Sequence, residues 1–221
     1  MNSDPFGTNF ESNFESNFES DSDLKFILKN LYRRPTWFFK FTQENYYGRY
    51  AWYLLYLAAL ASQLGKIASM KTSIVSWSGL FFQVMVLGSG LTILFYIISA
   101  YIFSATSKLF KGEATAGDIL RVMSYSSSPA IIPLIFYLIG AALYGLPFFT
   151  NSFWLADADL AQTIFKYCVT VVNALAGINI MIFLILGISV VNNFSLLKAI
   201  LTIISPIVIL MAIIFLLVLL K

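Results

Sequence analysis

From Lys71 to Lys108, from Arg121 to Asp157 and from Lys166 to Lys198 the chain carries no charged side chain, and each interval is predominantly apolar. A run of about 20 such residues crosses the hydrocarbon core of a bilayer as a helix. A backbone in lipid has no water to bond, and a helix satisfies its N–H and C=O groups within one segment. With 59% hydrophobic residues, 11% charged residues and a mean hydropathy of +0.80, most of this chain has lipid rather than water as its solvent. The expected fold class is all-α, a polytopic membrane protein.

Two further uncharged intervals, Arg49 to Lys66 and Lys198 to Lys221, bring the expectation to a five-helix transmembrane bundle, with spans at about 50–65, 79–104, 126–149, 165–189 and 198–220. The first is short, but Tyr46, Tyr47, Tyr50, Trp52, Tyr53 and Tyr56 form an aromatic edge suited to the headgroup layer. Five spans create two sides, and the basic residues divide unevenly between them. Lys25, Lys29, Arg33, Arg34, Lys40, Arg49, Lys108, Lys111, Arg121 and Lys198 share one; Lys66, Lys71, Lys166 and Lys221 share the other. By the positive-inside rule this places the N-terminus in the cytoplasm and the C-terminus outside.

No basic region followed by an apolar core opens the chain, so it does not begin with a secretory signal. Instead NFES repeats from Asn9 to Ser20. One phenylalanine per four residues gives too little apolar surface for a core, and residues 1–23 read as a disordered acidic tail. Residues 24–45 then mix Leu24, Phe26, Ile27, Leu28, Leu31 and Tyr32 with basic side chains, and add Trp37, Phe38 and Phe39 after Pro35. This amphipathic N-terminal helix either lies in the interface, cations toward anionic lipid, or packs under the bundle; both use the same apolar face.

The stretch from Lys108 to Pro133 differs from everything around it. Lys108 to Lys111 leads to Gly112, which should break the second span, and Glu113 to Met123 has the composition of a short helix. Asp118 and Arg121 are three apart and can pair across one turn. Tyr125, Ser126, Ser127 and Ser128 then enter Pro129, with Pro133 four residues on. Each proline removes a helical donor, so a kinked or interrupted third span is expected, its freed carbonyls met by serine hydroxyls or packed neighbours.

At these residues the chain resembles the Yip-type membrane proteins, named for their eukaryotic Ypt/Rab-interacting members. Gly112-Glu113-Ala114-Thr115, the short helix and the entrance Tyr125-Ser126-Ser127-Ser128-Pro129 are similar to the loop and third span of that family. The segment RRPTWFFKF, the tract ASQLGKIASM, and GISVVNNFSLLKAIL with Asn193-Phe194-Ser195 and Lys198-Ala199 match further family features, so the resemblance covers 24–221. Lys111 stands where many relatives have a second glycine, and the long cytoplasmic motif of the trafficking members is missing from the tail. The resemblance therefore implies a Yip-type transmembrane domain of bacterial character, in an inner membrane, and carries over no Rab-binding role.

Catalytic chemistry finds few materials here. There is no histidine and a single cysteine, Cys168, which leaves no metal site, cofactor site or nucleophile-base pair to propose. Ionisable groups are nearly absent from the spans, against proton or ion coupling. The intramembrane polar candidates are Gln83, Asn173 and Asn179; bonding to a neighbouring helix or carbonyl explains them without a ligand. Gly88, Gly90, Gly140, Ala176 and Gly177 suit close helix approach. Gly112, Glu113, Asp118, Arg121, Tyr125, Ser126, Ser128 and Pro129 are the candidate hinge or docking residues.

The expected function is a non-enzymatic membrane protein that organises membrane or recruits partners at the cytoplasmic face. Its partners are the lipid bilayer and a protein there, with homo-oligomerisation open and nucleic acid excluded. The alternative is a small transporter or lipid-handling channel using the kinked third span, which requires a wet, polar cavity around Ser126 to Ser128 and Asn179.

Overall fold

In the computed structural model the described residues are 23–45, 48–69, 76–150, 153–154 and 159–219, all helix, turn or loop with no strand among them. The NFES repeat, Tyr46, Tyr47 and Lys71 lie outside them. The helices are α1 (Asp23–Arg33), α2 (Pro35–Glu44), α3 (Ala51–Ser69), α4 (Trp77–Leu109), α5 (Ala116–Ser126), α6 (Ile131–Tyr144), α7 (Leu160–Val191) and α8 (Leu196–Leu219). Among the described residues four segments are long and apolar enough to cross a membrane: α4, the α5–α6 stretch Ala116–Tyr144, α7, and Leu196–Leu216 of α8. Large apolar side chains such as Leu91, Phe95, Leu138, Leu143, Val171 and Ile178 are exposed along them, as lipid-facing surface requires.

Residues 24–45 form two helices rather than one. Pro35 has no N–H and crowds the residue before it, so Arg34 leaves the helical region (φ −144°, ψ 65°) and α2 starts on the proline. Ile27 and Leu31 of α1 and Phe38 and Phe39 of α2 are fully buried against α5 and α7, while Lys25, Lys29, Arg33, Arg34 and Lys40 are exposed. The apolar face is thus covered by protein.

Helix α3 runs to Ser69, several residues past its expected end, because Gly65 is tolerated inside it. A Cβ at Gly65 would stand 2.7 Å from the Tyr137 hydroxyl, so the missing side chain admits α6. Ala58, Ala59, Ala61, Leu64 and Ala68 are buried among α4, α5 and α6, whereas Trp52, Tyr53 and Tyr56 point outward, as an aromatic edge should.

In α4, residues Gln83–Gly88 wind as a π-helix, and the Ser89 hydroxyl donates to the Val84 carbonyl at 2.6 Å. The bulge brings Gly88 under the Gln63 side chain, 2.6 Å from a virtual Cβ, and Gln63 donates to the Thr92 hydroxyl. Toward its end, Thr106 donates to the Thr202 carbonyl of α8 at 3.1 Å.

Among the described residues the core has two parts. One joins α1, α2, the start of α3, α5 and the last turns of α7 around Phe38, Phe39, Tyr125 and Ile188. The other lies at the opposite end, where a 3-10 turn Leu146–Phe149 turns Phe148 inward against Tyr137, Phe149, Phe153, Trp154 and Phe165, with centroid distances of 5.0–6.4 Å. Gly140 lets Phe148 approach to 2.6 Å of where a Cβ would be.

Gly187 of α7 is the tightest crossing of the first core: a Cβ there would overlap Val122 of α5 and stand 3.2 Å from the Phe39 ring of α2. Alanine is intrinsically better in a helix by about 1 kcal/mol, but overpacking costs about 1–3 kcal/mol. Gly187→Ala should therefore destabilise the protein by about 1 kcal/mol in denaturant titration in detergent, and a rise in stability would show that the crossing is looser than drawn.

Candidate functional site

At the end of the bundle that carries α1 and α2, four chain segments close on one another. Helix α4 stops with paired bonds: the Gly112 N–H donates back to Ser107 O at 2.9 Å, and the Lys111 N–H to Lys108 O at 3.1 Å. This is a Schellman end, which satisfies carbonyls a helix otherwise leaves open. It needs a left-handed residue, and that residue is Lys111, with φ of 65°. The glycine follows it.

Helix α7 ends in the same way. Phe194 N–H donates to Ser189 O and Asn193 N–H to Val190 O, both at 3.1 Å, and Asn193 takes the left-handed conformation with φ of 51°. Asparagine tolerates that region far better than lysine.

Asn192, between those two turns, ties them together. Its Nδ2 donates to the Ile188 carbonyl at 3.0 Å and its Oδ1 accepts from the Ala114 N–H at 3.1 Å. The Ala114 carbonyl in turn accepts from the Ser104 hydroxyl at 3.0 Å, so both polar groups of a buried loop residue are met by side chains from neighbouring helix ends. Gly112 is required by closeness, not by its φ: a Cβ would overlap Asn192 Oδ1 and touch the Phe194 ring.

From Ala114 the loop enters α5 through a capping box. Thr115 accepts from the Asp118 N–H at 3.2 Å, and the Asp118 carboxylate accepts from the Thr115 N–H at 2.9 Å. The expected pairing of Asp118 with Arg121 is present, at 3.0 Å. Arg121 also donates to Thr42 O at 3.3 Å, placing a cation on the carbonyl end of α2, and Gln43 donates to Val191 O at 3.0 Å. The ends of α2, α4 and α7 and the start of α5 thus form one braced plate. Lys108, Lys111 and Glu113 are exposed on it.

Tyr125, Ser126, Ser128 and Pro129 lie apart from that surface. The third span is interrupted as expected: α5 stops at Ser126, Ser128–Ala130 form a 3-10 turn, and α6 begins at Ile131. All four residues are buried, with Tyr125 set edge-on to Phe38 at 5.1 Å. Ser124 and Ser127 donate to the carbonyls four residues back, both at 2.7 Å. Among the described residues the buried hydroxyls of Ser126 and Ser128 make no regular hydrogen bond, although the Tyr32 phenol lies close to Ser128.

The intramembrane polar residues do not form one site. Gln83 is exposed on the π-helix, Asn179 donates to Leu175 O of its own helix at 2.9 Å, and Asn173 accepts from Tyr137 at 2.9 Å while donating to Val169 O at 2.8 Å. Sequence reasoning passed over Asn192, Ser104 and Gln43. Two consecutive asparagines at the end of a long apolar run were the available signal for the first, whereas nothing local marks Ser104 or Gln43.

The Yip1 domain family matches residues 29–218, a stretch that spans every helix just described except the beginning of α1 and the last residue of α8. The chain belongs to that family. It is an integral, multi-pass membrane protein of the Yip type. Neither the curated proteins nor the solved structures contain a match.

Two substitutions probe the braced plate. A left-handed lysine costs roughly 1–2 kcal/mol that a glycine avoids in part, so Lys111→Gly should stabilise the fold by about 0.5–1 kcal/mol. Asn192→Ala orphans the Ala114 N–H and should destabilise by about 1–3 kcal/mol. Both are read by unfolding titration, and equal, small effects would mean that the plate is not braced as described.

Proposed function

We propose that this Yip1-domain protein is a non-enzymatic organiser that recruits a protein partner at the cytoplasmic face of a bacterial inner membrane, using the surface around Lys111 and Glu113. The observation that carries this reading is the bracing of the loop by Asn192, Gly112 and Ser104. A loop already fixed in one shape loses little conformational freedom on binding, which is what favours a docking surface. Lys111 and Glu113 are exposed and charged beside exposed Leu109 and Thr115, and the neighbouring α1 and α2 add an exposed basic face.

In the same reading α3 is a fifth span, α1 and α2 lie at the cytoplasmic interface with their cations toward anionic headgroups, and the C-terminus is external. Helix α3 supports this by its course: Ala51 and Leu54 near its start pack in the first core, and Leu64, Ile67 and Ala68 near its end pack in the second. Its 19 residues rise about 28 Å, close to the ~30 Å hydrocarbon thickness. Asp118 is unsuited to testing the docking surface, since its carboxylate caps α5 and pairs with Arg121.

In a Cys168→Ser background, single cysteines at Lys29 and Lys111 should be labelled by an impermeant thiol reagent from the same side of inner-membrane vesicles, and one at Asp159 from the other. Labelling of Lys29 and Lys111 positions from opposite sides would remove α3 as a span. For recruitment, a photo-crosslinking residue at Glu113 should yield a discrete adduct in cells that Lys111→Glu abolishes; an adduct absent in the first case or unchanged in the second would refute the docking surface.

A further inference from the structure

A cavity of about 450 Å³, open to one side, lies between α3, α6 and α7, with Tyr96 of α4 at one wall. This is within the ~300–1,000 Å³ of small-molecule sites. Its α3 wall is Ala58, Ala61, Ser62, Gly65 and Lys66, a single stripe at helical spacing, and its α7 wall is Asn173, Ala176, Gly177 and Ile180, another. Small side chains leave the space. At Gly177 the absent side chain serves no close approach, because nothing stands within 4 Å of a virtual Cβ.

The cavity is polar at one end and apolar at the other. Gly65 faces the Tyr137 hydroxyl, and Tyr137 donates to Asn173, so Ser62, Lys66, Tyr137 and Asn173 share one level. One to two turns along α3 and α7 lie Ala58, Ala130, Ala176, Gly177 and Ile180. Asn173 and Ile180 are separated by about 10 Å of helix rise. A cationic and hydroxyl-bearing end beside an apolar trough, in a bundle whose flanks are exposed apolar side chains, complements an amphiphile with an anionic head.

We propose that this groove holds one acyl chain of an anionic phospholipid taken from the surrounding leaflet, with the phosphate at Lys66 and the chain between Ala58, Ala130 and Gly177. The interrupted third span makes the room, since Ala130 and Pro133, where α6 restarts after the 3-10 turn, form one side of the trough. The site is independent of the braced plate.

The test uses the full chain, released from lipid nanodiscs and examined by native mass spectrometry, with phosphatidylglycerol and phosphatidylcholine as the probes. The expected result is a one-to-one adduct with phosphatidylglycerol that survives when phosphatidylcholine adducts are lost. Gly177→Leu starts a side chain into the trough from a position where a Cβ meets nothing within 4 Å and should weaken the adduct about tenfold, and Lys66→Gln should erase the preference for the anionic lipid. Gly90→Leu, another open glycine that lies outside the groove, should change neither. Thermal unfolding of each variant separates loss of lipid from loss of fold. An undiminished adduct in Gly177→Leu overturns the proposal, as does a groove that instead pairs two chains, seen as a dimer that Gly177→Leu dissolves while lipid binding stays the same. If Gly177→Leu lowers stability, Ala61→Val is the second filling variant, and lipid binding unchanged there counts equally against it.

Discussion

The hydrogen bond from the Ala114 N–H to Asn192 Oδ1 is the contact on which the rest of the polar end depends. It joins a loop that leaves α4 to a turn that leaves α7, and Gly112 has no side chain so that the two can meet. Once they meet, the capping box of α5 is held in place, and Asp118 sets Arg121 toward the end of α2. At a membrane surface this matters more than in water, because helix ends that enter the low-dielectric layer must have their carbonyls satisfied by the protein.

The two ends of the bundle are closed by different physics. One end is closed by directional bonds between side chains and backbone, which fix orientation. The other is closed by Phe148 and its aromatic neighbours, whose packing is broad in geometry and rich in contact area. The first arrangement presents a defined polar surface, with Lys108, Lys111 and Glu113 exposed on it.

Much of this was legible in the sequence. Uncharged apolar runs marked the spanning helices, prolines marked the break between α5 and α6, and the three-residue spacing of Asp118 and Arg121 marked their pair. These are local signals, each carried by residues close together in the chain. What escaped was set by distant partners. Asn192 and Ala114 are 78 residues apart and Gln43 and Val191 are 148 apart, so no window of sequence contains either bond. The glycines show the same limit: Gly88, Gly140 and Gly187 admit a neighbour, whereas Gly90 and Gly177 face open space, and identical residues give no hint of which. A transporter or channel would need a wet cavity around Ser126 to Ser128 and Asn179; the serines are packed, and the cavity that is present is lined by Ala130, Pro133 and small residues of α3 and α7.

The π-helix of α4 has a mechanical consequence. A π turn holds one residue more than α-helical winding would, and Gln83–Gly88 keep that residue in a segment whose far side is fixed by Thr106 to α8. Passing the extra residue along the helix would rotate Trp77–Phe82 by about 100° and advance it by about 1.5 Å while Ser89–Leu109 stayed in place. The orientation of Trp77–Phe82 is thus set by where the π turn sits, beneath the Gln63 side chain at Gly88.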